Sequence, residues 1–398
     1  MISDGIINVN KSQNMTSHDV VAILRRVTGV KRTGHTGTLD PMATGVLPVC
    51  IGSATRIMEY LDADLKTYEC AALLGISTDT DDIWGRVLAG SGTEGLSRAD
   101  VTAAFCAFVG KIRQMPPMYS ARKIDGRKLY EYAREGREAK VKAREVYIDD
   151  IEITEIESLS EYAVPDPERN SGAGDSDADE AAYMQRRRSG AFMRVRFKVK
   201  CSKGTYIRSI CRDVGKLLGC GGTMESLVRT KNGVFDIDDA VDIMEIREMT
   251  EYEIARHIQP VDTPLAHFGK GIVRYDRVGS FLDGLTLSRE QVKIERMPMF
   301  SDLTKECTKA ENCIDGNEAG TALERIRAVG IDKGVKEESG KLKVCGLPTP
   351  SKYRKAYCLY GKNGDDEEAF LGVALYEKNR KLFAADKIFS SKDRKSVV

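Results

Sequence analysis

The strongest constraint in this chain is a short run in which glycine, threonine and proline surround a single acid. The run occupies residues 34–48, reads GHTGTLDPMATGVLP, and contains Asp40 as its one acidic residue. Glycine permits positive φ, whereas Pro41 fixes its own φ and biases Asp40 towards an extended backbone. The run therefore predicts a rigid, shaped loop that presents one carboxylate.

Asp40 is isolated in the sequence, because the nearest acids are Asp19 before it and Glu59 after it. A lone carboxylate on such a loop favours nucleophilic or general-base chemistry over metal binding or a two-carboxylate mechanism. The alternative is an Asx-type turn, in which the Asp side chain caps backbone amides. The pattern alone is equally compatible with both interpretations.

Length and composition predict a soluble protein of two domains. The 398 residues exceed the size at which one core usually keeps growing, and 41% hydrophobic with 30% charged residues is typical of globular chains. No apolar run reaches about 18 residues, so we expect no membrane span. The first residues lack the pattern of a signal peptide, which favours a cytoplasmic location.

Cysteine and histidine usage argues against disulfides and metals. The ten cysteines are scattered without a CxxC pair, so we expect reduced thiols. The four histidines form no cluster with cysteine at ligand spacing, so we expect no metal site.

Two segments are strongly basic although the whole chain has a net charge of only +1. Residues 111–144 contain eleven Lys or Arg against four acids, and residues 203–231 contain six against two. Such segments suit phosphate contacts of a nucleic acid. The alternative is an ordinary solvated helix face with charge pairs at i,i+4 spacing.

Periodicity and end signals predict the elements around the loop. Thr16 and Ser17 offer an N-cap for a helix that runs to about Val27 and ends at Gly29. Residues 79–82 are expected to form a turn. Strands are predicted at residues 6–10, 46–51, 68–74 and 192–201, and further helices at 98–109, 129–137 and 209–218.

The run at residues 34–48 resembles the signature motif GHTGxLDP of the TruB family of tRNA pseudouridine synthases. Four further segments resemble that family in the expected order: KTYE at residues 66–69, PPMYSA at 116–121, KGTYIR at 203–208 and LVRT at 227–230. Two departures occur. Residues 11–17 read KSQNMTS where the family usually has KPxGxTS, and Val228 replaces one Arg of the family's LRRT.

The resemblance implies a fold and a domain organisation. The fold is α+β, the pseudouridine synthase fold, with a mixed and mainly antiparallel sheet flanked by helices and loops. Residues 1–264 would form the catalytic domain, with a thumb-like segment at about 115–144. Residues 158–190 are polar and of low complexity, which favours a surface insertion between two strands. The alternative is that the RRR triplet at residues 186–188 contacts RNA. Residues 271–390 would form a small, β-rich, PUA-like domain that binds RNA.

The resemblance also implies the function. The expected enzyme isomerises uridine to pseudouridine at position 55 in the T-loop of tRNA, with an aspartate nucleophile and no cofactor. Its partner would be the T-arm stem-loop of tRNA, and the family suggests a monomer. One alternative is an RNA-binding or tRNA-folding module without catalysis, which would not need Asp40, Tyr68 and Arg208 together. Another is a guide-RNA-directed synthase of the same superfamily, whose long basic tail this chain lacks.

Three residues match the catalytic positions of the family. Asp40 matches the nucleophile. Arg208 would keep that carboxylate ionised, because a nearby guanidinium favours the charged form; the alternative is a structural ion pair or a phosphate contact. Tyr68 matches the tyrosine that stacks on the flipped base and can handle the proton at C5; the alternative is a core or rim tyrosine.

Five residues are assigned to substrate binding. Tyr206 would pack beside the uracil, and Leu227 would form an apolar wall. Chemistry on a base requires extrusion of that base from the stack, which leaves a vacated position in the RNA. His35 matches the family's histidine that contacts RNA near this position. The alternative role of His35 is to order the GHTG turn. Lys203 and Arg229 come from the second basic segment.

Overall fold

A computed structural model of the protein describes residues 2, 4–61, 65–120, 122–124, 126–135, 137, 141–163, 187–299, 355–362 and 367–389. The larger part of it is built on one mixed sheet. Its strands, with those of two short hairpins, are β1 Gly5–Lys11, β2 Thr33–His35, β3 Thr44–Ile51, β4 Lys66–Leu74, β5 Ser77–Thr78, β6 Val87–Ala89, β7 Gly110–Gln114, β8 Lys123–Ile124, β9 Arg127–Lys128, β10 Arg144–Ala163, β11 Arg187–Cys201, β12 Gly222–Asn232, β13 Phe235–Asp236 and β14 Val241–Asp242.

Ten of these strands join the large sheet in the order β14-β1-β3-β12-β4-β11-β10-β7, with β13 beside β12 and β2 beside β3. The pairs β1–β14 and β12–β3 are parallel, and the other pairs are antiparallel. The expectation of a mixed, mainly antiparallel sheet is therefore confirmed.

The helices are short and end at recognisable signals. They are α1 Ser17–Thr28, α2 Met58–Leu61, α3 Arg98–Cys106, α4 Leu129–Arg134, α5 Ile207–Leu218, α6 Ile243–Glu248, α7 Glu251–Arg256 and α8 Val278–Leu282. Helix α1 begins as predicted, because Thr16 and Asp19 form a capping box in which each side chain accepts from the other's backbone N–H. It ends at Gly29, whose φ of 68° suits glycine.

Helix α5 lies against the centre of the large sheet. Its apolar residues recur at helical spacing, so that Ile207, Ile210, Cys211, Val214 and Leu217 are all buried. The Sγ atom of Cys211 is 3.8 Å from Sγ of Cys70 on β4. This packing fixes the helix above strands β4 and β12.

The last part of the chain forms a six-stranded sheet in the order β16-β20-β19-β18-β15-β17. Its strands are β15 Gly269–Val273, β16 Leu287–Ser288, β17 Val292–Arg296, β18 Ala356–Lys362, β19 Glu368–Glu377 and β20 Leu382–Ile388. The sheet has a core of its own, around Phe281, Leu359 and Phe383. A second cluster, which includes Val46 and Val373, joins the two sheets. The β-rich C-terminal part is confirmed, whereas the predicted division into residues 1–264 and 271–390 stays a prediction.

One departure from the family pattern has a local explanation. Asn14 occupies the position at which KPxGxTS has its glycine, and it adopts a φ of 63°. Asparagine tolerates this left-handed conformation better than most residues with a side chain. The N–H of Asn14 donates to the carbonyl of Pro41 at 3.0 Å, so the turn supports the loop that contains Asp40.

The polar insertion predicted at residues 158–190 differs from the structure at both ends. Residues 158–163 continue β10 and residues 187–190 begin β11, with Glu161 paired to Ser189. The apolar residues of this ribbon, Leu159 and Tyr162, pack against the cluster that contains Phe192, but they are three residues apart across a register shift. Because they do not alternate, hydrophobic periodicity did not reveal this ribbon. Residues 164–186 lie outside the described residues, as do residues 301–343.

Three helix boundaries also differ. The predicted helices at 98–109 and 129–137 end earlier, at Cys106 and Arg134, and the helix predicted at 209–218 begins at Ile207. Such shifts at helix ends are usual, because the signals that end a helix are weaker than its periodicity.

No helix of the described ranges is long and apolar enough to cross a membrane. No group of three His, Cys, Asp or Glu side chains in those ranges is placed to hold a metal ion. The cysteines that are described, Cys50, Cys70, Cys106, Cys201, Cys211, Cys220 and Cys358, are free thiols.

The close packing of α5 can be tested at Gly215, where an added Cβ would overlap the backbone of Gly221 and Gly222. We expect Gly215→Ala to lower the free energy of unfolding by about 1–3 kcal/mol, as overpacking does. Gly279→Ala is the control, because a Cβ on Gly279 in α8 meets nothing within 4 Å. It should be neutral or stabilise by up to about 1 kcal/mol. Urea unfolding measures both, and equal effects would contradict the close contact.

Candidate active site

The loop between β2 and β3 holds Asp40 in a fixed place. Gly37 adopts a φ of 68° and Gly45 a φ of 100°. A side chain at Gly45 would overlap the backbone of Arg229 on the neighbouring strand. Ser17, the first residue of α1, accepts from the N–H of Leu39 at 2.9 Å and donates to its carbonyl at 3.1 Å. The residue before Asp40 is thus attached to a helix N-terminus.

Two buried cations lie beneath this loop. The guanidinium of Arg229 donates to the carbonyl of Gly37 at 2.8 Å and to that of Val46 at 2.6 Å. The Nζ atom of Lys11 donates to the carbonyls of Met15 at 2.8 Å and Pro41 at 3.4 Å. Burial lowers the pKa of Lys11 to about 8, although the charge of Asp40 opposes this shift. The backbone of the loop is therefore held by charged donors.

The carboxylate of Asp40 forms an ion pair with Arg208. Oδ2 of Asp40 is 2.7 Å from Nη2 of Arg208, and the two side chains are 37% and 5% exposed. The same Nη2 donates to the carbonyl of Tyr119 at 2.9 Å. Nη1 lies 3.3 Å from Oδ2 of Asp82 and donates to the carbonyl of Thr80 at 3.1 Å. The guanidinium therefore joins three segments that are distant in sequence.

The charges around Arg208 favour its protonated form. Burial alone would lower the pKa of Arg208, but the charges of Asp40, Asp82 and Asp81 outweigh it and raise that pKa. Burial raises the pKa of Asp82, and the charge of Arg208 opposes that shift. Arg208 thus places a positive charge 2.7 Å from the carboxylate of Asp40, an arrangement that suits nucleophilic or general-base chemistry.

Asp40 faces a cavity of about 790 Å³. Tyr68, Leu227 and Arg229 line it from strands β4 and β12, and Tyr206 with Lys203 lines it from the segment before α5. Tyr68 and Arg229 are partners across the β4–β12 pair, so both side chains lie on the same face of the sheet. Burial raises the pKa of Tyr68, and the charge of Arg229 opposes that shift.

The structure thus brings together seven of the eight residues that the sequence singled out. The exception is His35, which ends β2 opposite Val49 and is not among the residues that line this cavity. Arg122 and Arg144 from the thumb-like segment also line it. The cavity therefore combines an acid, a phenol, an apolar wall and several cations.

Sequence reasoning missed two side chains of this site. Asp82 was assigned only to a turn, yet it contacts the guanidinium that also binds Asp40. Lys66 is buried and lines the cavity at the start of β4. The pair of acids at residues 81–82 was a possible signal for Asp82, because two adjacent acids that become buried need cations.

Comparison with protein families and known proteins identifies the relatives of this chain. Residues 25–164 match the model of the TruB family pseudouridylate synthase N-terminal domain, and residues 208–266 match the tRNA pseudouridylate synthase B C-terminal domain. The tRNA pseudouridine synthase B of Alkaliphilus oremlandii is 41% identical over 271 residues, which are 68% of this chain and 78% of that protein. The chain belongs to the TruB family. The tRNA pseudouridine synthase B of Clostridium kluyveri is 38% identical over 72% of this chain and 86% of that protein.

Solved structures share the fold. The crystal structure of a Cbf5-Nop10-Gar1 complex matches with a TM-score of 0.57 and 20% identity, over 98% of this chain and 86% of that chain. An H/ACA RNP bound to a substrate RNA containing 2′-deoxyuridine matches with a TM-score of 0.56 and 19% identity, over the same shares. At these identities the likeness shows the pseudouridine synthase fold alone. The Asp40 loop and most of the cavity lie within the part that matches the TruB models.

The dependence of the two carboxylates on one cation can be tested by unfolding. Arg208→Met would leave Asp82, which is 10% exposed, beside no guanidinium. We expect the free energy of unfolding to fall by about 3–5 kcal/mol, as when one partner of a buried pair is removed. Adding Asp82→Asn should recover part of this loss, because the neutral amide needs no cation.

Arg274→Met is the control for this test, since Arg274 pairs with Asp276 at 2.6 Å in solvent, with side chains 59% and 51% exposed. It should leave the urea midpoint unchanged within error. If Arg208→Met lowers the free energy of unfolding no more than this control does, the buried pair has no structural role.

Proposed function

We propose that this TruB-family chain isomerises uridine to pseudouridine at position 55 in the T-loop of tRNA, with Asp40 as the nucleophile. The observation that carries the proposal is the 2.7 Å ion pair of Asp40 and Arg208 at a cavity walled by Tyr68 and Leu227. The tRNA substrate is supported by relatives that are 38–41% identical and named tRNA pseudouridine synthase B.

Uridine and pseudouridine are isomers, so the reaction neither adds nor removes atoms. The C1′–N1 bond breaks, the uracil rotates, a C1′–C5 bond forms, the proton on C5 leaves and N1 gains a proton. Asp40 can serve this sequence by attacking the sugar or C6 of the uracil, because its carboxylate is paired with Arg208 yet 37% exposed towards the cavity. The role of Arg208 is to keep that carboxylate charged and oriented.

Tyr68 is proposed to stack on the extruded uracil and to handle the proton on C5. Its ring is buried at the cavity and its hydroxyl provides a polar tip. Burial raises the pKa of Tyr68, so the hydroxyl enters the reaction protonated. To accept the proton from C5, the phenol must first lose its own proton to solvent or to the substrate. The positive charge of Arg229, the partner of Tyr68 across the strands, favours that loss because it opposes the effect of burial on the pKa of Tyr68.

The remaining assignments concern binding. Tyr206 and Leu227 would hold the uracil between apolar surfaces, and Lys203 with Arg229 would interact with the nucleotide. Extrusion of a base costs a few kcal/mol, which stacking and phosphate contacts must offset. His35 lies outside the cavity lining, at the end of β2. That position suits a contact with RNA around the vacated site rather than with the flipped base.

The decisive experiment uses a T-arm stem-loop with tritium at C5 of the target uridine. The wild-type chain should release the label as water, and Asp40→Asn should release none while its Kd for the RNA stays within about threefold. Glu69→Gln is the control, because Glu69 follows Tyr68 on β4 but lies in a solvent-exposed pair with Lys198. It should keep the wild-type rate.

Three outcomes would contradict the proposal. Label release by Asp40→Asn would remove the nucleophile assignment. Tight RNA binding by the wild-type chain without label release, across a panel of tRNAs, would instead favour the RNA-binding or tRNA-folding module. Release that required an added guide RNA would favour the guide-directed branch.

A further inference from the structure

A buried amide joins the edge of the large sheet to the start of helix α5. Gln114, the last residue of β7, is 2% exposed. Its Oε1 accepts from the N–H of Tyr206 at 2.8 Å, and its Nε2 donates to the carbonyl of Tyr206 at 3.0 Å. One side chain thus satisfies both backbone groups of one residue. This pairing requires a group that donates and accepts at once, which an amide provides.

The contact with Gln114 matters because Tyr206 lies at the start of helix α5. Tyr206 is the N-cap of α5, and within the described part of the chain its own side chain makes no capping hydrogen bond. Arg208 is the second residue of the helix. The first turn of α5 is therefore placed from outside, by Gln114, rather than by a capping side chain of its own.

The residues that follow Gln114 contact the same turn. The carbonyl of Met115 accepts from Oγ of Ser209 at 3.0 Å and from Nη2 of Arg212 at 3.0 Å. The carbonyl of Tyr119 accepts from Nη2 of Arg208 at 2.9 Å, the nitrogen that also contacts Asp40. The base of the thumb-like segment is thus bonded to α5 at several points.

We propose that Gln114 is a positioning residue for the reaction, which holds Tyr206 and Arg208 in register with Asp40 and connects the base of the thumb-like segment to the ion pair. The proposal rests on the proposed function, because Arg208 matters for turnover only if Asp40 reacts. Gln114 itself does not line the cavity. It acts through the helix start that it fixes.

The first experiment replaces the amide by a side chain of similar shape. Gln114→Met removes both hydrogen bonds, and a shift of the helix start by about 1 Å should lower the single-turnover rate of pseudouridine formation by about 10- to 100-fold. The Kd for tRNA should stay within about threefold, because the cations at the cavity remain. Rate, Kd and the thermal midpoint are measured on the same preparation.

Asn8→Leu is the matched control. Asn8 is another buried amide of the large sheet, 2% exposed, whose Nδ2 donates to the carbonyl of Asp236 at 2.7 Å, away from the cavity. This variant should lose stability but keep the wild-type rate at a temperature where it is folded. If both variants lose rate in proportion to their stability, or if Gln114→Met keeps the wild-type rate, the positioning role is wrong.

The second experiment uses Gln114→Glu and pH. A protonated carboxyl both donates and accepts, so it can reproduce the amide's pairing with Tyr206, whereas a carboxylate repels the carbonyl. The rate of Gln114→Glu relative to wild type should therefore rise as pH falls from about 8 to about 5.5, since burial favours the neutral acid.

Arg144 is the register partner of Gln114 on β10, and Arg113 with Glu145 forms the next pair of the two strands. On α5, Arg208 and Arg212 are paired with four carboxylates, those of Asp40, Asp82, Asp81 and Asp213. The charge of Arg144 opposes a raised pKa of the introduced carboxyl, and the ratio to wild type cancels the titration of groups that both chains share. A ratio that stays constant or falls over this range would contradict the proposal. If the wild-type chain formed no pseudouridine, the proposed function itself would be overturned. Failure of the positioning role and failure of the proposed function are therefore distinguishable.

Discussion

The guanidinium of Arg208 is the group on which the architecture of the site depends. It is 5% exposed and lies between Asp40 at 2.7 Å and Asp82 at 3.3 Å. A buried cation without such partners would be costly, as would the buried carboxylate of Asp82 without the cation. The motif loop, the turn at residues 79–82 and the first turn of α5 must therefore be in place together. This mutual requirement makes the geometry of the candidate site a property of the whole large sheet.

The contacts around this group form a connected chain. Gln114 on the edge strand pairs with Tyr206, the first turn of α5 presents Arg208, and Arg208 contacts Asp40. On the other side, Ser17 holds the residue before Asp40. The contacts of Gln114 and Ser17 are hydrogen bonds to backbone groups, and the contact of Arg208 with Asp40 is an ion pair of two side chains. Rigid support of this kind is what pre-organised sites need, because small misplacements cost large factors in rate.

Local patterns predicted much of the fold. The helix that begins after Thr16 ends at Gly29 as its capping signals indicate, and the apolar strands lie where alternation places them. At the KPxGxTS segment, Asn14 takes the left-handed conformation of the missing glycine. The end of β10 was not predictable, because its packed apolar residues Leu159 and Tyr162 are separated by a register shift and do not alternate.

The sequence by itself determined the motif loop, its single acid and the order of the segments that resemble the TruB family, since these depend on residue type and spacing alone. Only the tertiary structure decided which side chains come into contact. Asp82 lies beside Arg208, Gln114 beside Tyr206, and Arg229 beside Tyr68. These contacts follow from the register of the strands and the placement of the helix. A shift of one residue in a strand would turn its side chains to the opposite face of the sheet. No local pattern encodes that register, because it is set by the packing of the whole sheet.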